Sequence, residues 1–106
     1  MLVIRGINVF PSQIEDVLKS IPEVGDQFIV VVDRVNHLDE MTIHVEIKKE
    51  YFKGELRDLE RIQRKIQDQL KAILQVRTEI ELKEPESLPR FAGKAKRVID
   101  KRGDKF

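Results

Sequence analysis

The chain has 106 residues, 41% of them hydrophobic and 37% charged, with a formal net charge of +1. That length bounds it to one small domain with a single core, and so much apolar content excludes a chain disordered for want of hydrophobic side chains. Cysteine is absent, which excludes disulfides, thiolate metal sites and thiol nucleophiles.

Leu2-Val3-Ile4 reads as a short strand, after which Gly6 breaks regularity and Val9-Phe10-Pro11 turns the chain toward a helix. Ser12 is the expected N-cap, with Glu15 three residues on completing a capping box. Ile14, Val17, Leu18 and Ile21 recur at helical spacing, with Gln13, Glu15, Asp16 and Lys19 expected to face away. Pro22 and Gly25 stop this short amphipathic helix.

Phe28-Ile29-Val30-Val31-Val32 is a nearly continuous β-branched run, too short for a buried helix, and predicts a strand covered on both faces. Residues 34–40 are polar and read as a loop. Beyond them Met41, Ile43, Val45 and Ile47 alternate with Thr42, His44, Glu46 and Lys48, the period of a strand with one wet face. The connection is short enough for an antiparallel hairpin. Residues 48–54 form a charged link.

From residue 55 to about 76, Leu56, Leu59, Ile62, Ile66, Leu70, Ile73 and Leu74 trace one apolar stripe among charged and amide side chains, predicting the longest helix. Ile80 and Leu82 alternate with Glu79, Glu81 and Lys83 as a further strand, and Pro85 with Ser87 leads into a loop. The order β-α-β-β-α-β plus a basic C-terminal loop and tail predicts an α+β domain, a small antiparallel-rich sheet with two helices packed on one face.

The balanced net charge hides an asymmetry. Residues 90–106 hold seven Lys or Arg against two Asp, so the C-terminal end is the part that attracts anions. Within it Leu88-Pro89-Arg90-Phe91-Ala92-Gly93-Lys94 places a Pro and a Gly so that Lys94 projects from a loop tip, and Val98-Ile99 beyond it is strand-like. From composition alone the solvated end of a domain is the better reading of this stretch.

The start of the chain, Met1 to Leu18 with Arg5-Gly6-Ile7-Asn8-Val9-Phe10-Pro11 intact, resembles the segment that opens the small C-terminal domain of AMP-forming acyl-CoA ligases, in particular those of the phenylacetate type. Leu88-Pro89 followed by Gly93-Lys94 resembles the close of that domain, and Val32-Asp33-Arg34 between them fits the same subfamily. Nothing resembles the Ser/Thr/Gly-rich phosphate loop, ATP pocket or acyl pocket of the family's large N-terminal domain. The resemblance therefore implies a lid, residues 1–106, whose partner is an N-terminal adenylation domain in the same or a separate chain.

By that resemblance Lys94 is the catalytic lysine of acyl-adenylate formation, set by Pro89 and Gly93, while Arg5, Gly6, Ile7 and Asn8 form the turn that faces CoA during thioester formation. Arg5 would meet either a phosphate of CoA or the partner domain. ATP with Mg, and CoA, are implied as substrates of the full enzyme, none held tightly by this domain, which would not turn over alone. Homo-oligomerisation of the isolated domain is not expected.

Two other classes fit the architecture. A regulatory module of ferredoxin-like fold would bind a metabolite between two copies. An RNA-recognition module would stack bases on aromatic side chains of its central strands, yet the strands here offer Val, Ile, Met, Thr and His. His37 and His44 lack a third ligand at metal-binding spacing, so no metal site is expected. The first residues lack a basic start and long apolar run, and no stretch reaches the ~20 apolar residues of a membrane span. The expectation is a cytoplasmic domain that binds neither membrane nor nucleic acid.

Overall fold

The structure, a computed structural model, describes residues 2–52, 56–88 and 98–102. Its elements run β1 (Leu2–Ile4), β2 (Ile7–Val9), α1 (Pro11–Lys19), β3 (Val24–Val35), β4 (Leu38–Ile47), α2 (Leu56–Leu74), β5 (Glu79–Lys83) and β6 (Val98–Asp100). β1 and β2 make a small antiparallel hairpin of their own, and the other four strands form one sheet in the order β5-β4-β3-β6. β3 and β4 are antiparallel, whereas β5 joins β4 and β6 joins β3 in parallel. The α+β class holds, with parallel pairs added at both edges of the antiparallel centre.

One core unites these parts. Val30 and Val32 of β3, Met41, Ile43, Val45 and Ile47 of β4, and Ile80 of β5 point to the same side. There they meet Ile14 and Leu18 of α1 and Ile62, Ile66, Leu70 and Leu74 of α2. The spacing of four along α2 explains why Leu56 and Ile73, expected on the stripe, are instead 72% and 54% exposed: each lies off the line joining the four buried positions. Two amides tie α2 to the next strand, Gln67 Nε2 donating to Thr78 O at 2.7 Å and Gln63 Nε2 to Ile80 O.

Several local expectations are corrected. α1 starts at Pro11, with Phe10 rather than Ser12 as N-cap: Gln13 N–H donates to Phe10 O at 2.9 Å, and Phe10 N–H donates to Gln13 Oε1 at 3.0 Å. Proline is preorganised for the first helical position and Gln at N3 satisfies the cap backbone, so Ser12 falls inside the helix. The strand expected before α1 is a hairpin of two. Residues 34–40 are not a loop; β3 and β4 run on to a two-residue turn at Asn36 and His37, with φ of 51° and 69°. Positive φ at both central positions is the turn that matches strand twist.

Glu46 departs furthest from expectation. It alternates onto the side of β4 that carries Thr42 and His44, yet it is only 3% exposed. A β-bulge lies opposite it: between the pairs Val24↔Ile47 and Phe28↔Val45, residues 25–27 of β3 face this single residue. The chain after β5 then folds back over its carboxylate.

Candidate functional site

The β1–β2 hairpin carries the first group of candidate residues. Leu2, Ile4, Ile7 and Val9 pack on the core, with Ile4 and Val9 fully buried. Val3 and Asn8, paired across the hairpin, stay exposed. That alternation leaves two residues to reverse the chain, Arg5 at φ 51° and Gly6 at φ 81°, again positive at both central positions. A side chain at Gly6 would meet nothing within 4 Å, so the glycine is required by its dihedral and not by crowding. The turn is thus a thin, exposed ridge of backbone.

Asp39, near the start of β4, fixes that ridge to the sheet. Its carboxylate accepts from the Arg5 backbone N–H at 3.2 Å, from Arg34 Nε at 3.2 Å, and pairs with Arg102 Nη1 at 3.1 Å. Arg5 Nε donates to the Asp39 carbonyl at 2.8 Å. Arg102, just past β6, also donates through Nη1 to Val3 O at 2.6 Å and forms a fork on Asp100 through Nε at 3.1 Å and Nη2 at 3.0 Å. The hairpin is thereby gripped at its turn and at Val3 of β1.

Titration follows this geometry. The Arg5 backbone N–H, followed by the Arg34 side chain and the Arg102 charge, holds the Asp39 carboxyl below its ordinary range. Arg102 does the same to Asp100, chiefly through its side-chain hydrogen bonds, and Asp100 in turn raises the guanidinium. All three groups are held in their charged forms, as charge-assisted hydrogen bonds require.

The second group, Pro89, Gly93 and Lys94, lies outside the described residues. Its approaches are described. After β5, Ser87 N–H donates to Glu84 O at 3.2 Å and Glu86 has a φ of 61°, the type II turn pattern with Pro85 at its second position. Glu46 braces that turn, Oε1 accepting from Glu86 N–H at 3.1 Å and Oε2 from Leu88 N–H at 2.9 Å. On the far side Val98 to Asp100 align with Val30 to Val32, and Lys101 N–H donates to Val32 O at 2.8 Å.

His37 sits in the β3–β4 turn and His44 lies on the outer sheet face, its Nε2 3.6 Å from Glu81 Oε2. Among the described residues no three His, Asp or Glu side chains converge as a metal site would need. A cleft of about 180 Å³ beside the hairpin turn is lined by Arg5, Glu40, Met41, Arg77 and Glu79, two cations balanced by two anions. No helix among the described residues is long and apolar enough to cross a membrane.

Asp39, Arg102 and Glu46 were not singled out by sequence reasoning. Asp39 lies 34 residues from Arg5, and Glu46 lies 42 from Leu88, so no periodicity links them.

Comparison with known proteins follows the same outline. Residues 6–102 match the family described as AMP-binding enzyme C-terminal domain. The chain is 36% identical over 104 residues to a phenylacetate-coenzyme A ligase of Aromatoleum evansii, an alignment spanning 96% of this chain and 24% of that protein. Among solved structures it is similar to a domain of phenylacetate-coenzyme A ligase from Bacteroides vulgatus, with TM-score 0.88 and 32% identity over 98% of this chain and 94% of that one. It is also similar to 2-hydroxyisobutyryl-CoA ligase in complex with 2-HIB-AMP and CoA in the thioesterification state, with TM-score 0.90 and 32% identity over 97% of this chain and 21% of that one. The chain thus spans about a quarter of the length of the curated relatives it matches.

Proposed function

The chain belongs to the family of AMP-binding enzyme C-terminal domains, and from that premise we propose that it is the lid of an AMP-forming aryl-acid CoA ligase of the phenylacetate type. The full enzyme joins a carboxylate to ATP and then to CoA, and the lid offers a different face to each step. An N-terminal adenylation domain, in the same or a separate chain, holds ATP with Mg, the acid and most of CoA.

In the first step a carboxylate oxygen attacks the α-phosphorus and the bond to pyrophosphate breaks. Two anions approach, and charge grows on the phosphoryl oxygens. Lys94 brings an ammonium to that point; a fixed cation in a water-poor site stabilises such charge by about 2–4 kcal/mol, and no proton need move to or from it. Pro89 and Gly93 shape the loop that delivers it. In the second step the CoA sulfur attacks the acyl carbonyl carbon, the thiol proton leaves, and the bond to AMP breaks. Here the lid has rotated, as hinged domains do, so that Arg5, Gly6, Ile7 and Asn8 line the path of the pantetheine arm.

The observation that carries this reading is the likeness, at TM-score 0.90, to the corresponding part of a ligase holding both an acyl-adenylate and CoA. The narrow Arg5-Gly6 ridge supports it, since a thin ligand arm passes closest to a backbone that has no Cβ. The test is Lys94→Ala in the full-length ligase. Acyl-adenylate formation, followed by pyrophosphate release, is expected to fall about 10²–10³-fold, while CoA transfer from supplied acyl-adenylate keeps its rate. Equal losses in both half-reactions would refute the role given to Lys94.

A further inference from the structure

We infer that Asp39, working with Arg102, is the positioning residue that sets the Arg5-Gly6 turn for the CoA half-reaction. The inference rests on the reading above that this turn faces CoA, and it assigns that orientation to a carboxylate on a different strand.

A two-strand hairpin of three residues a side is weak by itself; such pairs need packing or an anchor to keep one orientation. Among the described residues β1 and β2 share no ladder with the main sheet. Packing fixes their inner side through Ile4 and Val9, and the exposed turn beyond them is held by polar tethers. Asp39 supplies those for Arg5, through its carboxylate to the backbone and through its carbonyl to the guanidinium. The second tether directs the Arg5 side chain, so Asp39 decides both the height of the ridge and the heading of its one cation.

Arg102 makes the tether stiff. Its side chain is 13% exposed and that of Asp39 14%, sheltered values for charged groups, and it binds Asp39, Asp100 and Val3 O at once. Arg34 adds a second cation to the Asp39 carboxylate from the adjoining strand. A carboxylate shared in this way has little rotational freedom, and positional errors of about 1 Å at such a site are enough to cost on the order of 10²-fold in rate. Neither Asp39 nor Arg102 is assigned any contact with substrate.

The experiment uses the full-length ligase with Asp39→Asn, Arg102→Gln and the double variant, each followed through both half-reactions. Asn keeps the shape of Asp and one acceptor oxygen but loses the charge that Arg102 and Arg34 hold. CoA transfer from supplied acyl-adenylate is expected to fall about tenfold or more in each single variant, with the double variant no slower than the worse single one, because the two residues act as one unit. Adenylate formation is expected to stay within about twofold of the parent. Equal losses in both half-reactions would mean a merely structural role and overturn the inference, as would independent, multiplying losses in the double variant. Gly6→Ala probes the underlying reading separately, straining the turn without touching Asp39. If Gly6→Ala slows CoA transfer and Asp39→Asn does not, the inference alone fails; if neither slows it, the reading of the turn fails with it.

Discussion

Replacing Glu46 by Gln tests whether a buried carboxylate fixes the exit from β5. The two side chains have nearly the same shape, so packing is conserved while hydrogen-bonding capacity changes. Each Glu46 oxygen faces a backbone N–H, of Glu86 at 3.1 Å and Leu88 at 2.9 Å. A carboxylate accepts both. An amide has one acceptor and one donor group, so whichever way it flips one N–H meets an NH₂. The loss is then one hydrogen bond to a charged group, about 1.5–3 kcal/mol, and the surviving bond weakens because its acceptor is now neutral. Glu86 adds to the sensitivity, since a non-glycine residue at φ 61° keeps that conformation only while its surroundings impose it. Amide hydrogen exchange on the 106-residue chain reads the effect by site. Exchange at Glu86 and Leu88 is expected to quicken by about tenfold to a hundredfold in Glu46→Gln, while amides of the β3–β4 ladder such as Ile43 change far less. Unchanged protection at both residues would refute the bracing role, and uniform acceleration across the sheet would show a global effect instead of a local one.

Acid should weaken the hairpin tether. Asp39 and Asp100 both have carboxyls held below the ordinary 3.8 in the folded chain, so the folded form binds fewer protons than the unfolded one near that pH. The stability they confer is fully present above 3.8 and is lost as pH falls through the lower folded values. Thermal melts between pH 6 and pH 2 are expected to show a gap between the parent and Asp39→Asn that narrows with acid; a gap independent of pH would remove the electrostatic account. On α2, Ile66→Ala is expected to cost about 2–5 kcal/mol, because Ile66 is fully buried. Leu56→Ala, at a residue 72% exposed, should change the urea midpoint by less than about 0.5 kcal/mol equivalent, and equal effects of the two would contradict the burial pattern.

Elements whose cause is local were readable from the sequence. The β-branched run at residues 28–32 gave β3, the alternation at 41–47 gave β4, and the four-residue spacing of Ile62, Ile66, Leu70 and Leu74 gave the buried side of α2. Turn chemistry was harder. Asn36 tolerates positive φ, but His37 beside it is not a residue that announces such a turn, so the polar stretch around it read as loop. The hairpin before α1 was missed because Gly6 looked like a break and not the second half of a reversal. Glu46 was missed for a different reason: alternation assigns a residue to a side of a sheet but says nothing of what later crosses that side. Here residues 86–88 do. The Asp39 cluster draws on residues 5, 34, 100 and 102, and only the folded chain brings those positions together. Arg5, Gly6, Ile7, Asn8, Pro89, Gly93 and Lys94 came from resemblance, since their spacing alone is also that of ordinary turns and tails.

The two tethers share a strand, and that bears on how a lid would serve two steps. Asp39 and Glu46 are seven residues apart on β4, roughly 24 Å along the strand. β4 is an interior strand, paired with β3 from Leu38 to Val45 and with β5 from Thr42 to Glu46, so the distance between the tethers is set by a paired backbone, bonded on both sides from Thr42 to Val45. One end holds the Arg5-Gly6 turn, the other the take-off of the chain toward Lys94. A domain that bent between steps would need those two segments to move relative to each other, and the paired residues of β4 oppose that. Rotation of the whole domain costs none of these hydrogen bonds. Under the function proposed above, the arrangement therefore favours a lid that turns as one body.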